Sequence, residues 1–405
     1  MQTGCEVVER EGRLLAGGAG DGVGGVTRVG AGGSGDDERL ARVALGRVIE
    51  PGDGTALRVF EGLGVVEIWE RLRRKETGTE RWGPRVDAAQ PERDLERGAA
   101  AGARFVIPGD DEWPEQLDVL DEAGRVSRRA GAPFGLWVRG AGLLQAAVER
   151  SVAVVGARAC SAYGEHVAGE LASGLAESGY AVVSGGAYGI DAAAHRGVLA
   201  ADGVTVAVLA CGVDVSYPRS NSALFSRIVE RGLVVSELPP GCSPTKLRFL
   251  SRNRLIAAGS LGTVVIEAAV RSGALNSAGW AEQCGRPVLA VPGPITSRMS
   301  AGTHVLVRER DAVLVTNVAE IIEAVSPLGS GLTPYPHSPT TPFDELSHEL
   351  RRVLDAVPVN HPVPATRIAV TAGLDLPTTQ AALQALAALS LTHRSPTGWH
   401  LPPPT

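Results

Sequence analysis

The sequence has few of the features that mark zinc proteins, secreted proteins and membrane proteins. It contains five cysteines among 405 residues, an odd number, widely spaced and never in a C-x-x-C pair. This usage argues against a structural zinc site or a disulfide framework and favours a reducing compartment. Apolar runs stop short of the ~18 residues that a membrane-spanning helix needs, and the segment after Met1 does not resemble a signal peptide. We therefore expect a cytoplasmic protein with no metal site and no membrane contact.

An excess of positive charge is also missing. The chain has 39 Lys and Arg against 45 Asp and Glu, which gives a formal net charge of −6. Any contact with nucleic acid must then come from a local basic patch, and this counts against nonspecific binding of duplex DNA. With 44% hydrophobic and 4% aromatic residues the composition is still that of an ordinary globular protein, and the length predicts two or three domains.

Composition and periodicity divide the chain into five segments. Residues 1–36 are dense in glycine and predict a flexible leader. Leu40, Val43 and Val48 follow helical spacing, so 37–100 is predicted to be a small helical module of sterile-alpha-motif or helix-hairpin-helix type, ending in a linker from Arg81 to Ala101. The other segments are predicted as a Rossmann-like domain at 101–325, a Pro-rich linker at 326–342 and a winged-helix domain at 343–405.

The winged-helix interpretation depends on three predicted helices and a hairpin. Leu346 to Leu354 mark the first helix, Pro364 and Pro377 open the next two, and a strand pair around Gly398 completes the pattern. The third helix is predicted to expose no cation, only Thr378, Thr379, Gln380 and Gln384. That face favours contact with protein over the alternative of a regulator that binds duplex DNA.

The stretch from Ser151 to Asp191 predicts the central fold. Val152 to Val155 form a fully apolar strand pattern, a helix follows, and a second strand runs from Tyr180 to Val183. A crossover that carries a helix makes the two strands parallel. The alternation of strands and helices continues to Val291, which predicts an α/β fold with a doubly wound, mostly parallel, extended Rossmann-like sheet. Two more strands are expected at one edge, Phe105 to Ile107 and Leu136 to Gly140.

Two loops at the carboxyl edge of this predicted sheet have an unusual composition. The first carries Gly156 and Arg158, and the second carries Ser184, Gly185 and Gly186 ahead of a helix. Glycine lets the backbone approach a ligand, while guanidinium groups and free N–H groups at helix starts attract anions. Turn chemistry alone explains a single glycine here, but two adjacent loops with an arginine favour a phosphate-binding edge. G-x-G-x-x-G and P-loop patterns are absent, so no cofactor is predicted.

A basic segment reads KLRFLSRNR from Lys246 to Arg254 and contains no acidic residue. Such a run is usually a solvated surface. Here it lies between two predicted strands and is expected to form a loop leading into a short helix, which would bring Arg252 and Asn253 to the phosphate-binding edge. Together with Arg219 of the YPRSN segment, these residues predict a track for successive phosphates of a nucleic-acid strand.

Candidates for catalysis are few. Asp191 and His195 lie four residues apart on one predicted helix face and could act as an acid–base pair, but capping and packing of that helix is the favoured role. Glu267 follows a predicted strand at its C-terminal end, where α/β enzymes place catalytic groups. It is the strongest single argument for an enzyme.

Six segments carry a family resemblance. They are VGARACSAYG (155–164), SGGAYGIDAAAH (184–195), YPRSN (217–221), RFLSRNRLIA (248–257), EAAVRSGALNSA (267–278) and VPGPITSRMSAGT (291–303). Their order and spacing resemble those of the DNA-processing protein A family (DprA, also called Smf), over about Phe105 to Val325. The flanking helical and winged-helix modules fit the same family.

The resemblance implies a fold, a ligand and partners. It implies a homodimer that binds single-stranded DNA in a basic pocket and loads the RecA recombinase onto incoming DNA during natural transformation, without catalytic residues or a metal. The pocket that it implies consists of Arg158, Ser184, Gly185, Gly186, Arg219, Arg252 and Asn253, with Lys246 just outside the matching segment.

A phosphoribohydrolase that acts on nucleoside monophosphates is the alternative, since such enzymes have a related fold and the signature P-G-G-x-G-T-x-x-E. Here Gly262 and Thr263 are followed by Glu267 one residue too late, and the Pro-Gly-Gly is missing. A shift of one residue turns a side chain to the other side of a strand. The sequence therefore favours a recombination mediator without catalysis.

Overall fold

The computed structural model describes residues 35–327, 329, 343, 346–359 and 361–402. Residues 1–34 of the predicted leader and most of the predicted Pro-rich linker lie outside these residues. The chain divides near Leu332 into two compact units. Within the described residues, no helix is long and apolar enough to cross a membrane.

The first unit begins with a set of short helices. They are α1 (Gly35–Val48), α2 (Gly54–Val59), α3 (Val65–Arg73), a 3-10 turn (Glu80–Trp82), α4 (Gly83–Asp87) and α5 (Pro91–Ala100). Leu45, Leu72 and Trp82 are buried in their shared core. The module is therefore helical, as predicted, although its second predicted helix is interrupted between α2 and α3.

The prediction of a linker from Arg81 to Ala101 is wrong, because α4 and α5 occupy this segment. The buried residues of α5 are Asp94 and Gly98, neither of which registers as apolar periodicity. Asp94 accepts a two-point hydrogen bond from Arg47 on α1 at 2.5 and 2.9 Å. A Cβ atom on Gly98 would lie 2.2 Å from the Trp137 ring, so only glycine permits this close packing.

A single sheet forms the centre of the first unit. Its described strands are β1 (Ala103–Val106), β2 (Leu136–Arg139), β3 (Ser151–Val155), β4 (Ala181–Ser184), β5 (Thr205–Val208), β6 (Leu233–Ser236), β7 (Thr263–Val265), β8 (Val288–Ala290) and β9 (Val313–Leu314). They lie in the order β1-β2-β6-β5-β4-β3-β7-β8-β9. All neighbours from β6 to β9 are parallel, whereas β1 and β2 are antiparallel. This confirms the doubly wound sheet with two added edge strands, and β9 corrects the prediction that the series ends at Val291.

Helices cover both faces of the sheet. They are α6 (Val119–Glu122), α7 (Leu144–Glu149), α8 (Ala162–Glu177), α9 (Ile190–Ala200), α10 (Ser222–Arg231), α11 (Lys246–Ala258), α12 (Ala274–Gln283), α13 (Ala301–Glu309) and α14 (Val318–Val325). Val152 and Val154 of β3 pack with α8 and α9, while Ala153 and Val155 pack with α11 and α12. Alternate side chains of a strand face opposite sides, so a continuous apolar run is what such a sheet requires.

The predicted loop from Lys246 to Arg254 is instead the first nine residues of α11. Thr245 caps this helix, and its hydroxyl accepts a hydrogen bond from the Arg248 N–H at 3.3 Å. Four cations within nine residues conceal the apolar periodicity by which a helix is recognised. The short helix predicted near Arg254 is only its last turn.

The second unit consists of α15 (His348–Asp355), α16 (Ala365–Ala372), α17 (Leu376–Ala388) and the antiparallel strands β10 (His393–Ser395) and β11 (Gly398–His400). Val353, Ile368 and Leu383 are fully buried in its core. Three helices followed by a hairpin agree with the predicted order of elements. Thr379, predicted to be exposed, is buried, and its hydroxyl donates to the Asp375 carbonyl at 2.8 Å.

Candidate functional site

A cavity of about 690 Å³ opens at the carboxyl ends of β3 and β7. The chain places β4, β5 and β6 on one side of β3 and then crosses to β7 on the other side. Such a reversal of strand order leaves a crevice between the loops that follow the two strands, where ligands of doubly wound proteins bind. Gly156 to Ala159 form one wall, α11 forms a second, and Ala269 to Ala274 contribute to a third.

One face of α11 lines the cavity. Lys246, Phe249 and Asn253 follow one another at spacings of three and four residues, which places them on one side of a helix. Leu250, Arg252 and Ile256 complete the lining from this helix. The predicted basic segment therefore contributes to the cavity, but through a helix face.

Two cations in the cavity wall are free to meet a ligand. Arg158 and Lys246 are both exposed, and neither makes a hydrogen bond or ion pair with any residue described for this chain. The Arg158 guanidinium carbon lies 4.5 Å from the centre of the Phe249 ring. Cation–π stacking holds the guanidinium at the cavity while leaving its N–H groups available to an anion.

Aromatic rings lie beside these cations. The centres of the Phe249 and Tyr217 rings are 5.6 Å apart, and Tyr217 is 43% exposed. Both residues also line a smaller adjacent cavity of about 70 Å³. Neither residue was predicted from the sequence as part of the site. The available signal was an aromatic residue inside a basic run, because aromatic rings and cations together bind single-stranded nucleic acid.

Arg252 serves a different role from the two free cations. It is 7% exposed, and its Nη1 donates to the carbonyls of Gly185 and Val208, each at 2.6 Å. Burial lowers the pKa of this guanidinium, and the nearby Asp191 carboxylate opposes the shift. Arg252 lines the cavity, and its Nη1 group joins the residue that follows β4 to the last residue of β5.

The remaining cations of the basic segment do not face the cavity. Arg248 donates to the Glu50 carboxylate at 2.9 and 3.0 Å, which joins α11 to the loop after α1. Arg254 is fully buried and makes two hydrogen bonds of 2.7 Å with Glu237. Half of the four cations in this segment therefore stabilise the framework around the cavity.

The structure brings together some of the predicted pocket residues and separates others. Arg158, Lys246, Arg252 and Asn253 line the main cavity, and Gly185 lines the smaller one. Ser184, Gly186 and Arg219 line neither, and Ser184 is buried with its hydroxyl donating to the Val154 carbonyl at 2.6 Å. Gly186 has φ 65°, and a Cβ there would lie 2.5 Å from Phe225. We infer a structural role for Ser184 and Gly186.

The candidate acid–base groups are engaged with the protein. Asp191 accepts from the Gly185 and Ala187 N–H groups at 3.2 and 3.4 Å, and burial raises the pKa of its carboxyl. His195 is fully buried, its Nδ1 lies 2.7 Å from the Thr205 hydroxyl, and burial lowers its pKa to about 3. A neutral histidine bonded to a core threonine supports the packing role.

Glu267 is held at the beginning of α8. Its carboxylate accepts hydrogen bonds from the Ser161 N–H at 2.8 Å and from the Ser161 hydroxyl at 2.5 Å. Ser161 is the N-cap of α8, so the carboxylate stabilises the positive end of that helix. Both oxygens are occupied, and the side chain is 1% exposed.

Together, these features define a Rossmann-like protein whose ligand crevice lies at the switch point of a doubly wound sheet and offers free cations beside aromatic rings. The chain belongs to the DNA recombination-mediator protein A family, whose sequence profile matches residues 104–326. It is 45% identical over 344 residues to the putative DNA processing protein DprA of Mycobacterium tuberculosis, covering 84% of this chain and 88% of that protein.

Two further comparisons agree. The chain is 39% identical over 241 residues to protein Smf of Escherichia coli, covering 59% of this chain and 60% of that protein. The crystal structure of DNA processing protein A from Streptococcus pneumoniae aligns with a TM-score of 0.57 at 29% sequence identity, covering 71% of this chain and 96% of that one. The family resemblance stated from the six sequence segments is thereby confirmed.

Proposed function

We propose that this protein binds single-stranded DNA in the cavity beside α11 and acts as a recombination mediator. The observation that carries the proposal is that Arg158 and Lys246, which pair with none of the residues the structure describes, lie next to the Phe249 and Tyr217 rings. Cations neutralise phosphates, and aromatic faces stack on bases without selecting among them. A duplex hides its base faces, so this combination favours a single strand.

Of the predicted pocket, we propose that Arg158, Lys246 and Asn253 contact DNA and that Arg252 positions the loops. Gly185 makes room for Arg252, because a Cβ there would collide with the Arg252 guanidinium. Arg219 is exposed near the same edge and could meet a strand that leaves the cavity. The net charge of −6 makes these few cations the main attraction for DNA.

The finer biological role is part of the same proposal. The family description names a DNA recombination mediator. We propose that this protein loads RecA onto incoming DNA in the cytoplasm during natural transformation. A homodimer is supported by the outer edge of β9, where Val313 and Leu314 are about half exposed and an open strand edge can pair. The second unit is proposed to be a winged-helix module that contacts protein.

We also propose that the protein is not a phosphoribohydrolase. That reaction needs a carboxylate near a ribose, and Glu267 has both oxygens bonded to Ser161. In the phosphoribohydrolase signature a threonine precedes the glutamate, and the corresponding Thr263 is fully buried here.

The test uses fluorescence anisotropy with one oligonucleotide in single-stranded and duplex form, together with incubation of the protein with AMP. We expect tight binding of the single strand, weaker binding of the duplex and no release of adenine. Equal binding of both forms would contradict the stacking argument. Release of adenine that disappears in Glu267→Gln would replace the mediator by the hydrolase.

A further inference from the structure

A tight hairpin lies next to the cavity and presents two free arginines. Val126 and Arg129 exchange backbone hydrogen bonds at 2.9 and 3.1 Å, with Ser127 and Arg128 as the two residues of the turn. Arg125 and Arg128 are exposed, and neither forms a hydrogen bond or ion pair with the residues that the structure describes. These two arginines are separate from Arg158 and Lys246, which line the cavity.

Hydrogen bonds connect this hairpin to the wall of the cavity. Asn253, which lines the cavity, donates to the Asn276 side-chain oxygen at 3.1 Å. Asn276 in turn donates to the Ser127 hydroxyl at 3.0 Å. The turn is therefore separated from the cavity wall by one intervening side chain, and a strand leaving the cavity along α12 meets it next.

The hairpin is also rigidly held on its other side. Arg129 donates to the Pro51 carbonyl at 3.2 Å, and the Ala130 N–H donates to the Gly52 carbonyl at 3.4 Å. Val126 packs against the core shared by α11 and α12. A binding site whose backbone is already rigid loses little conformational entropy of its own when a ligand binds.

The backbone of the turn is strained. Ser127 and Arg128 have φ angles of 51° and 65°, in the left-handed region where such two-residue turns normally carry Asn and Gly. An arginine at the second position costs stability that glycine would not. The acid Asp53 lies beside this turn, where its backbone forms a bridge with Arg129, and its carboxylate is paired with Arg81 at 3.1 Å.

We propose that Arg125 and Arg128 form a second phosphate-binding site, which holds the backbone of the same DNA strand after it leaves the cavity. This rests on the proposed binding of single-stranded DNA in the cavity. Its ligand class is the phosphodiester backbone, because a guanidinium on an exposed turn without a neighbouring aromatic ring contacts phosphates and not bases.

The test compares oligothymidylates of two lengths, about six nucleotides to fill the cavity and about twenty to reach the hairpin. The variant is Arg125→Ala/Arg128→Gly, in which glycine suits the turn and keeps the fold intact. We expect unchanged affinity for the short strand. For the long strand, we expect the salt slope to fall by about 1.4, since each phosphate contact on a single strand contributes about 0.7. Over a fourfold change in salt that slope corresponds to about a sevenfold difference in affinity.

Two controls sharpen the result. Arg227→Ala removes an exposed arginine of α10, on the opposite face of the sheet, and should leave both affinities unchanged. Arg125→Lys/Arg128→Lys keeps both charges and should retain most of the long-strand affinity. Wild-type affinity of the Ala/Gly variant for the long strand would overturn the second site alone, and so would an equal loss for both lengths. Failure of the unmodified protein to bind either strand would refute the proposed function itself.

Discussion

The two ends of α11 contain the same kind of residue in opposite environments. At the start of the helix Lys246 is exposed and unpaired, among the residues described here, and it lines the cavity. Two turns later Arg254 is fully buried and bonded to Glu237 and to the Gly131 carbonyl. Within one basic segment, packing decides which cation can meet a ligand and which one holds the framework.

Arg248 and Arg252 are intermediate between these extremes. Arg248 is half-buried against Glu50, and Arg252 lines the cavity while most of its donors are used within the protein. A basic run is therefore a poor measure of the positive charge available to DNA. The partners of each side chain must be known before its role can be assigned.

The largest expected effect is a loss of stability when Arg254, at the buried end of α11, is replaced. Arg254→Ala leaves Glu237 buried without its partner, and breaking a buried ion pair costs about 3–5 kcal/mol of the free energy of unfolding. Denaturant unfolding followed by circular dichroism measures this loss. The double variant Arg254→Met/Glu237→Leu removes both charges and should recover most of the stability. A single variant as stable as the wild type would show that the ion pair is not needed.

The sequence predicted the sheet well because its strands are continuous apolar runs closed by glycine, as in Val152–Val155 followed by Gly156. It predicted the edge of the sheet that carries the cavity for the same reason, since parallel strands end together. The sequence did not predict α5 or most of α11 as helices. Ion pairs and close packing at a glycine replace apolar periodicity in these two segments. Ser184 and Gly186 do not line either cavity, and the sequence could not indicate this, because a loop that supports a cavity and one that lines it have similar compositions.

Replacing Arg158, the exposed cation that lines the cavity together with Lys246, should affect DNA binding and leave the fold intact. Arg158→Ala is expected to weaken binding of a single strand about tenfold, roughly 1.4 kcal/mol, and to lower the salt slope by about 0.7. The unfolding free energy should change by less than about 1 kcal/mol, since only stacking on Phe249 is lost. Anisotropy titrations at several salt concentrations test this, with Arg227→Ala as the control. An unchanged slope would remove Arg158 from the site.

A smaller effect is expected in the middle of α11. Burial alone would raise the pKa of the Glu50 carboxyl, but the hydrogen bond from Arg248 and the charges of Arg248, Arg85 and Arg129 together outweigh burial and lower this pKa. A carboxyl with a lowered folded-state pKa stabilises the protein above its unfolded pKa of about 4.5, and this contribution is lost as the pH falls through the folded value. Glu50→Gln should therefore cost about 1 kcal/mol at pH 7 and progressively less below pH 4.5. If the difference in unfolding free energy between the wild type and Glu50→Gln did not depend on pH, the ion-pair explanation would be contradicted.

The smallest effect is expected from removing the second unit. Within its described residues α17 exposes no cation, Arg352 donates to the Ala372 carbonyl, and Arg394 lies 5.7 Å from the Trp399 ring. A chain that ends after Pro327 keeps the cavity with Arg158 and Lys246, so its affinity for a single strand should stay within about twofold of the full chain. Arg158→Ala in the shortened chain should weaken binding as much as it does in the full chain. A tenfold loss on truncation alone would mean that the second unit adds contacts to DNA, and the exposed end of α11 would then not account for binding by itself.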